Sequence, residues 1–548
     1  MTSESRTTLA GVRRAEGGLI ERMLLSPAGL FSLAVSAVSV FAAVQLAGRV
    51  GLSAEAVART AHLANLISGY DQTMLAFGIE RPPLPTILGF LFATVPELRS
   101  GGLAVALGLA AASGLSVAVA NGLGRWAGLG RRTHVAFVAA FALHPLLLLS
   151  SAAGLPEALY ATLLLAAFTQ FARWLDRETT ASLILAGVAV GGAFLLRYDV
   201  LLVAVAIGTS VYFVALTREQ GVENVERAQA TTVAFAVPVA FVVGFWTITT
   251  WFAHGDVFEF VRDAAGLTAL SANSAEIVAH RAELAWDLGA AVLWVGGWAL
   301  ALAPLSVIAI VGLATYGLAA ADRPALALAA SLGSITLPPL AGVVTGLAQP
   351  QIAHLIPLVV PAFVVLAYIE RRRGGGRRPF SYERTARRRQ FALVALLVLG
   401  AAGSGWRLGA APDSAFPLNV ATAMLRDESG PQRDEAVEDM ASWLRQNAGP
   451  GEVLIDLERS SAVYLAVGRP DYFRTPEDRS GPAVIANPQG VATLLLTRRP
   501  IAGTGRGAIE RSYPTLWERP RADLEIAHEA GEYRIYRIIT EVAENNRQ

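Results

Sequence analysis

The chain has no cysteine among its 548 residues, which excludes both a disulfide framework and a thiolate metal site. It has no lysine either: all 45 basic residues are arginine. Any phosphate contact must therefore come from arginine, histidine or backbone N–H groups. Arginine-only usage fits a GC-rich bacterial genome. Charge of either sign is scarce, at 16% of residues, while 53% are hydrophobic and the mean hydropathy is +0.46. Soluble chains carry about 25% charged residues, so this composition reads as a membrane protein. The net charge of +1 carries no argument about nucleic acid. No basic stripe with interleaved aromatics occurs, and nucleic acid is not an expected partner. The seven histidines form no close-spaced zinc motif.

Long apolar runs are abundant. Stretches able to span recur at 29–48, 102–120, 133–150, 155–172, 181–196, 200–216, 231–252, 288–320, 324–347, 351–369 and 391–409. The expected fold class is a multi-pass α-helical membrane protein of about eleven transmembrane helices with a C-terminal soluble α/β domain. The 181–196 and 200–216 runs are short and read as a tight hairpin. The 288–320 run counts as one tilted or kinked helix around Pro304. Residues 84–98, broken by Pro85 and Pro96, read as a re-entrant or interfacial helix. Residues 1–25 carry Arg6, Arg13, Arg14 and Arg22 ahead of a run too long for a cleavable signal peptide, and read as a cytoplasmic segment before a signal anchor.

With the N-terminus inside, the inner connections hold Arg125, Arg131 and Arg132, then Arg173 and Arg177, Arg218 and Arg227, and Arg323. The last, 370–390, holds nine arginines. All fall on one side, as the positive-inside rule requires, and the nine-arginine loop reads as a topology signal. The expected organisation is a cytoplasmic segment 1–25, a transmembrane domain 26–409 with an outer loop 49–101, and an extracytoplasmic α/β domain 410–548. In that last domain, helix-like Asp434 to Gln446 precedes strand-like 453–456 and 492–497, and 532–538 alternates as an edge strand would.

Ionisable groups at a membrane are expensive and usually functional. On this topology they gather on the outer side. The first loop supplies Glu55, Arg59, Asp71, Glu80 and Arg81, braced by Pro82-Pro83. His144 falls near the outer end of the third span and Glu157 at the start of the fourth. Arg197 and Asp199 occupy a hairpin tip, His254, Asp256 and Glu259 follow the seventh span, and His354 begins the tenth. A transporter would scatter such groups through the midplane, so the asymmetry favours an enzyme with a cavity open to the outside.

Several segments resemble motifs of the GT-C glycosyltransferases, the polytopic enzymes that include protein mannosyltransferases and aminoarabinose transferases. Glu55-Ala-Val-Ala-Arg59 looks like the acidic motif ending their first span, where an aspartate commonly stands. Ile79-Glu-Arg-Pro-Pro-Leu-Pro85 resembles their His- or Tyr-Pro-Pro-Leu element, and Gly154-Leu-Pro-Glu157 their Gly-x-x-Glu segment. Leu196-Arg197-Tyr-Asp199 matches a Leu-Arg-Tyr-Asp/Glu segment, and Ile352-Ala-His354 resembles a late motif that usually carries an arginine. The likeness extends over 26–370. Two departures stand out: Glu55 is one methylene longer than aspartate, about 1 Å of reach, and His354 replaces the arginine.

The resemblance implies a bacterial inner-membrane enzyme taking a hexose or pentose from a polyprenyl-phosphate donor, with inversion, to a glycan, lipid or protein acceptor on the outer face. Such transfer needs a base for the acceptor hydroxyl and cations for the departing phosphate. Glu55 is the first candidate base and Asp71 the alternative. Arg197 is the first phosphate candidate, followed by Arg59, Arg81 and His354, with Glu80, Glu157, Asp199 and His254 lining the site. A divalent cation, magnesium or manganese, on Glu55, Asp71 and His254 rests on location alone. Each residue also has a structural reading: Glu55 as an ion pair with Arg59, Arg197 as an ion pair with Asp199, and loop arginines facing water. Gly503-Thr-Gly505-Arg-Gly507 lacks the ending of a phosphate loop and reads as a surface turn. The competing function classes are a transporter or lipid flippase, and a non-catalytic scaffold of the same fold.

Overall fold

The computed structural model describes residues 26–49, 51–70, 78, 81–218, 224–255, 257, 282–346, 351–374, 380–409, 435–478, 481–488, 492–500, 507–519 and 521–539. The chain is a multi-pass helical membrane protein. Among the described residues, eight helices are long and apolar enough to cross a bilayer, or ten structures if two bent pairs each count as one span. Every one of the eleven apolar stretches becomes helical, but not every one becomes a span. Thr180–Phe194 has 15 residues, a rise of about 22 Å against a hydrocarbon core of about 30 Å. The 288–320 stretch is not one kinked helix: Leu288–Leu302 and Pro304–Ala319 meet at 105°. Ala303 between them is non-helical (φ −137, ψ 55), and Pro304 has no N–H with which to continue the ladder. Pro145 does the same more gently, bending Arg131–Ala142 against Pro145–Ala152 by 42°.

The first span, α1 (Pro27–Arg49), leads into α2 (Ala54–Ser68) and α3 (Leu84–Ala93). The stretch read as a polar outer loop is thus partly helical, because Ser53 caps α2 by accepting from Ala56 N at 3.1 Å and Glu55 stands in its first turn, where a carboxylate complements the dipole. The short helix α3 has ten residues, a rise of about 15 Å against a hydrocarbon core of about 30 Å. It crosses Leu103–Ala112 so closely that a Cβ at Gly108 would lie 2.5 Å from the Leu88 carbonyl. The bundle's centre is α4 (Glu157–Arg177) with Ile352–Arg373, whose apolar windows are 78% and 89% buried, whereas Asn224–Ala253 buries 17% and turns most of its surface outward, as a lipid-facing helix would.

The C-terminal region folds as a five-stranded sheet in the order β2-β1-β3-β5-β4, with β1 Val453–Leu454, β2 Phe473–Arg474, β3 Leu494–Arg498, β4 Leu524–Ala530 and β5 Tyr533–Ile538. The first three run parallel, with Val453 opposite both Phe473 and Leu494. β5 runs antiparallel to β3 and β4, so 532–538 forms an interior strand, not an edge. Its partner β4, joined to it through the turn at Gly531-Glu532, takes the edge, with a bulge between Ile526 and His528. One sheet face packs on Glu435–Asn447 and α5 (Leu457–Val467). That core also takes in Ala61 and Ala64 of α2, so one helix from the membrane-proximal part completes the soluble domain's interior.

Candidate active site

The site is built around α2, which is enclosed on several sides. Its N-terminus is tied to the loop ahead of α4: Ser53 N donates to Ala153 O at 3.0 Å, and Ser53 Oγ to Gly154 O. Gly154 has φ +76, and a Cβ there would sit 2.6 Å from Ala56 Cβ. Only glycine permits this close approach of the Gly154-Leu-Pro-Glu157 segment to the turn bearing Glu55. One turn along α2, Thr60 Oγ1 donates to Gly102 O at 3.0 Å.

Glu55 and Arg59 are paired. Arg59 donates through Nε and Nη2 to Glu55 Oε1 at 3.0 and 2.8 Å. Its Nη1 donates to Pro82 O at 2.8 Å and Thr86 Oγ1 at 3.0 Å. Arg59 is therefore no water-facing loop arginine: its side chain is 3% exposed, while Glu55's is 32% exposed. Arg59 pins the Pro82-Pro83 turn to α2 and leaves Glu55 as the more accessible partner. Among the described residues no hydrogen bond reaches Glu55 Oε2, the oxygen left to meet a substrate. Burial raises the Glu55 pKa, but Arg59, Arg81 and Arg197 together outweigh it and hold the carboxyl below its ordinary value. The group is thus ionised, as an acceptor of protons must be, though weakly basic.

Arg197 stands between two carboxylates. It donates through Nη1 to Glu157 Oε1 at 3.2 Å, and through Nε and Nη2 to Asp199 at 3.2 and 2.6 Å. Its guanidinium lies 5.5 Å from the Tyr160 ring centre. Arg197 pairs with Asp199, as its structural reading has it, and with Glu157 as well. Glu157 is buried and Asp199 is 30% exposed. Burial alone would lower the Arg197 pKa; Asp199 and Glu157 reverse this and raise it.

Arg81 is the third cation, and it reaches across to the C-terminal domain. It donates to Glu458 Oε2, while His62 Nε2 donates to Glu458 Oε1 at 2.9 Å. Glu458 opens α5 in the soluble domain. Burial raises its pKa, but Arg81 and His62 pull it down to about 2. Beside this contact Asn65 Nδ2 donates to Thr475 Oγ1 at 3.1 Å and Tyr464 OH to Asn65 Oδ1 at 3.3 Å. Arg474 stacks over Tyr70 at 4.3 Å. The local sequence marks Asp456-Leu-Glu458 as a helix start, with Asp456 Oδ1 accepting from Glu458 N at 3.0 Å, but it carries no sign of an ion pair to residues almost four hundred positions away.

Three guanidiniums (Arg59, Arg81, Arg197) thus face four carboxylates (Glu55, Glu157, Asp199, Glu458). Asp71 and Glu80 lie outside the described residues, as do Asp256, Glu259 and the side chain of His254, which ends its helix. His354 sits half-buried in the 3-10 helix Ile352–Val359, which packs on α4. His144 occupies the position just before Pro145–Ala152, at the bend of its span, and lines a separate small cavity with Ala303, Pro304 and Phe363. Among the described residues no group of three or more His, Asp or Glu side chains could hold a metal ion.

No family model matches the sequence, and no curated protein matches it. In structure the chain is similar to ArnT from Cupriavidus metallidurans bound to undecaprenyl phosphate, at 14% identity and TM-score 0.51, covering 93% of this chain and 98% of ArnT. The apo state of ArnT matches at 15% identity and TM-score 0.48, covering 93% and 98%. The archaeal oligosaccharyltransferase AglB from Archaeoglobus fulgidus, in complex with an inhibitory peptide and a dolichol-phosphate, matches at 13% and 0.43, covering 85% of this chain and 69% of AglB. The likeness to undecaprenyl phosphate-bound ArnT runs through the helical bundle and the soluble domain alike, and the chain has the GT-C type of fold.

Proposed function

We propose that this GT-C-fold chain is a membrane glycosyltransferase that moves a hexose or pentose from a polyprenyl-phosphate-linked donor to a glycan, lipid or protein acceptor, with inversion at the anomeric carbon. It acts at the outer face of a bacterial cytoplasmic membrane, with the soluble domain outside. The observation that carries this reading is the convergence on α2 of Glu55 with three arginines from separate segments. A partly exposed carboxylate oxygen stands there beside the cations a departing phosphate requires. The likeness in fold to a protein solved with undecaprenyl phosphate supports the choice of donor.

In this mechanism Glu55 Oε2 accepts the hydrogen bond, then the proton, of the acceptor hydroxyl as it attacks the anomeric carbon. The bond from that carbon to the donor phosphate breaks, and the freed phosphate keeps its electron pair. Arg197 receives the phosphate. Its ligand Asp199 is the more exposed of its two carboxylates, so a phosphate oxygen replaces Asp199 while Glu157 stays. Arg59 and Arg81 hold the Pro82-Pro83 turn and add positive field. Asp71 is the alternative base.

Purified protein in lipid, given polyprenyl-phosphate donors with radiolabelled sugars, should release labelled product only with an acceptor present. Transfer from none of the hexosyl or pentosyl donors overturns the reading. One observation favours a second, a non-catalytic scaffold: every candidate phosphate arginine already has a carboxylate partner. The same assay separates the two. Protease applied to intact spheroplasts should remove the soluble domain; its protection would overturn the orientation.

A further inference from the structure

We propose that Glu458 is a positioning residue of this site, through which the soluble domain holds Arg81 and α2 in their working places. The inference rests on the transfer reading above and extends it: the C-terminal domain is a wall of the active site.

Glu458 uses both carboxylate oxygens on two different segments, Oε1 on His62 of α2 and Oε2 on Arg81 of the turn before α3. All three side chains are withdrawn from water, at 1% for His62, 10% for Arg81 and 11% for Glu458. A buried carboxylate shared between a guanidinium and an imidazole N–H fixes their separation, because moving either donor away leaves a buried polar or charged group without its partner. The carboxylate's own anchor is firm. Asp456, just ahead, accepts from Glu458 N and from Ala508 N at 2.7 Å, tying the start of α5 into the soluble domain.

The two segments it joins both carry site residues. Glu55 and Arg59 lie two turns and one turn before His62 on α2, and Arg81 adjoins Pro82, whose carbonyl accepts from Arg59. Arg81 is also among the arginines that keep Glu55 ionised. Removing the Glu458 charge should therefore disturb Arg81 first and the Glu55–Arg59 pair second. It should not undock the domain, since Asn65, Thr475 and Tyr464 hold α2 independently, and Ala61 and Ala64 stay in the domain's core.

The test is a donor titration of the full-length protein as wild type, Glu458→Gln, Arg81→Ala and the double variant. It is read beside hydrogen exchange of the α2 amides measured without donor. Glu458→Gln should raise the donor KM about tenfold, within the range of coupling for residues sharing one network, with a smaller change in kcat. The loss should vanish in the Arg81→Ala background, and Glu458→Asp should restore part of it. Exchange in α2 should quicken in Glu458→Gln. Additive losses in the double variant, a donor KM that falls, or unchanged exchange in α2 would each overturn the proposal. A wild-type protein that transfers no sugar overturns the transfer reading instead, and the exchange measurement then decides alone whether Glu458 positions α2.

Discussion

Replacing Arg197 by alanine should destabilise the protein before it says anything about phosphate. Arg197 and Glu157 are 14% and 5% exposed in their side chains and 3.2 Å apart. At an effective dielectric of about 20, unit charges at that spacing attract by roughly 5 kcal/mol. Removing one member of such a pair typically costs about 3–5 kcal/mol, because the other stays buried and uncompensated. The second oxygen of Glu157, Oε2, is buried with no hydrogen-bond partner among the described residues. Asp199, at 30% exposure, can turn to water, and losing its half of the contact should cost about 1 kcal/mol or less. Arg197→Ala should therefore unfold at a distinctly lower temperature in detergent, and Arg197→Ala with Glu157→Gln should recover more than half of the loss, since an amide needs no counter-ion. Sugar transfer should be lost in both. An Arg197→Ala protein as stable as wild type, or a double variant no better than the single, would refute the reasoning about buried charge. A double variant with wild-type transfer would refute the phosphate role.

Glu55→Gln should slow transfer by about 10²–10⁴, the usual effect of losing a general base, and should also loosen the buried Arg59, which loses its charge partner while the amide oxygen, Pro82 O and Thr86 Oγ1 can still accept from it. Full activity there with a dead Asp71→Asn would move the base to Asp71. Gly154→Ala should cost about 1–2 kcal/mol for the left-handed backbone alone, and more for the contact with Ala56, seen as lower thermal stability and faster exchange at the start of α2. The His62–Glu458 contact should give the soluble domain's docking a pH window. Burial lowers the His62 pKa, but Glu458, helped by Glu477 and opposed by Arg81, raises it above the ordinary 6.5, so its contribution is complete below 6.5 and fades as pH rises through the raised value. Glu458, held at about 2 from an ordinary 4.5, contributes fully above 4.5 and less as pH falls toward 2. Protease resistance of the soluble domain should peak between these limits; resistance flat across them would count against the contact.

The helices were legible in the sequence because hydropathy is a local quantity judged against a slab of fixed thickness, and each of the eleven apolar runs is helical. The pairing of Arg197 with Asp199 was legible too, being two residues apart. So was that of Arg59 with Glu55, four apart on a helix. The sequence also marked out the Gly154-Leu-Pro-Glu157 segment, though not that Gly154 brings it against Ala56.

Tertiary packing decided the rest. The 105° bend at Ala303, the interior place of β5 and the burial of Arg59 under the Pro82-Pro83 turn depend on what lies beside each segment. The joining of Arg81 and His62 to Glu458 across 377 and 396 residues has no local trace at all. An ion pair is selected by distance in space and by exclusion of water, and neither quantity exists until the chain is folded.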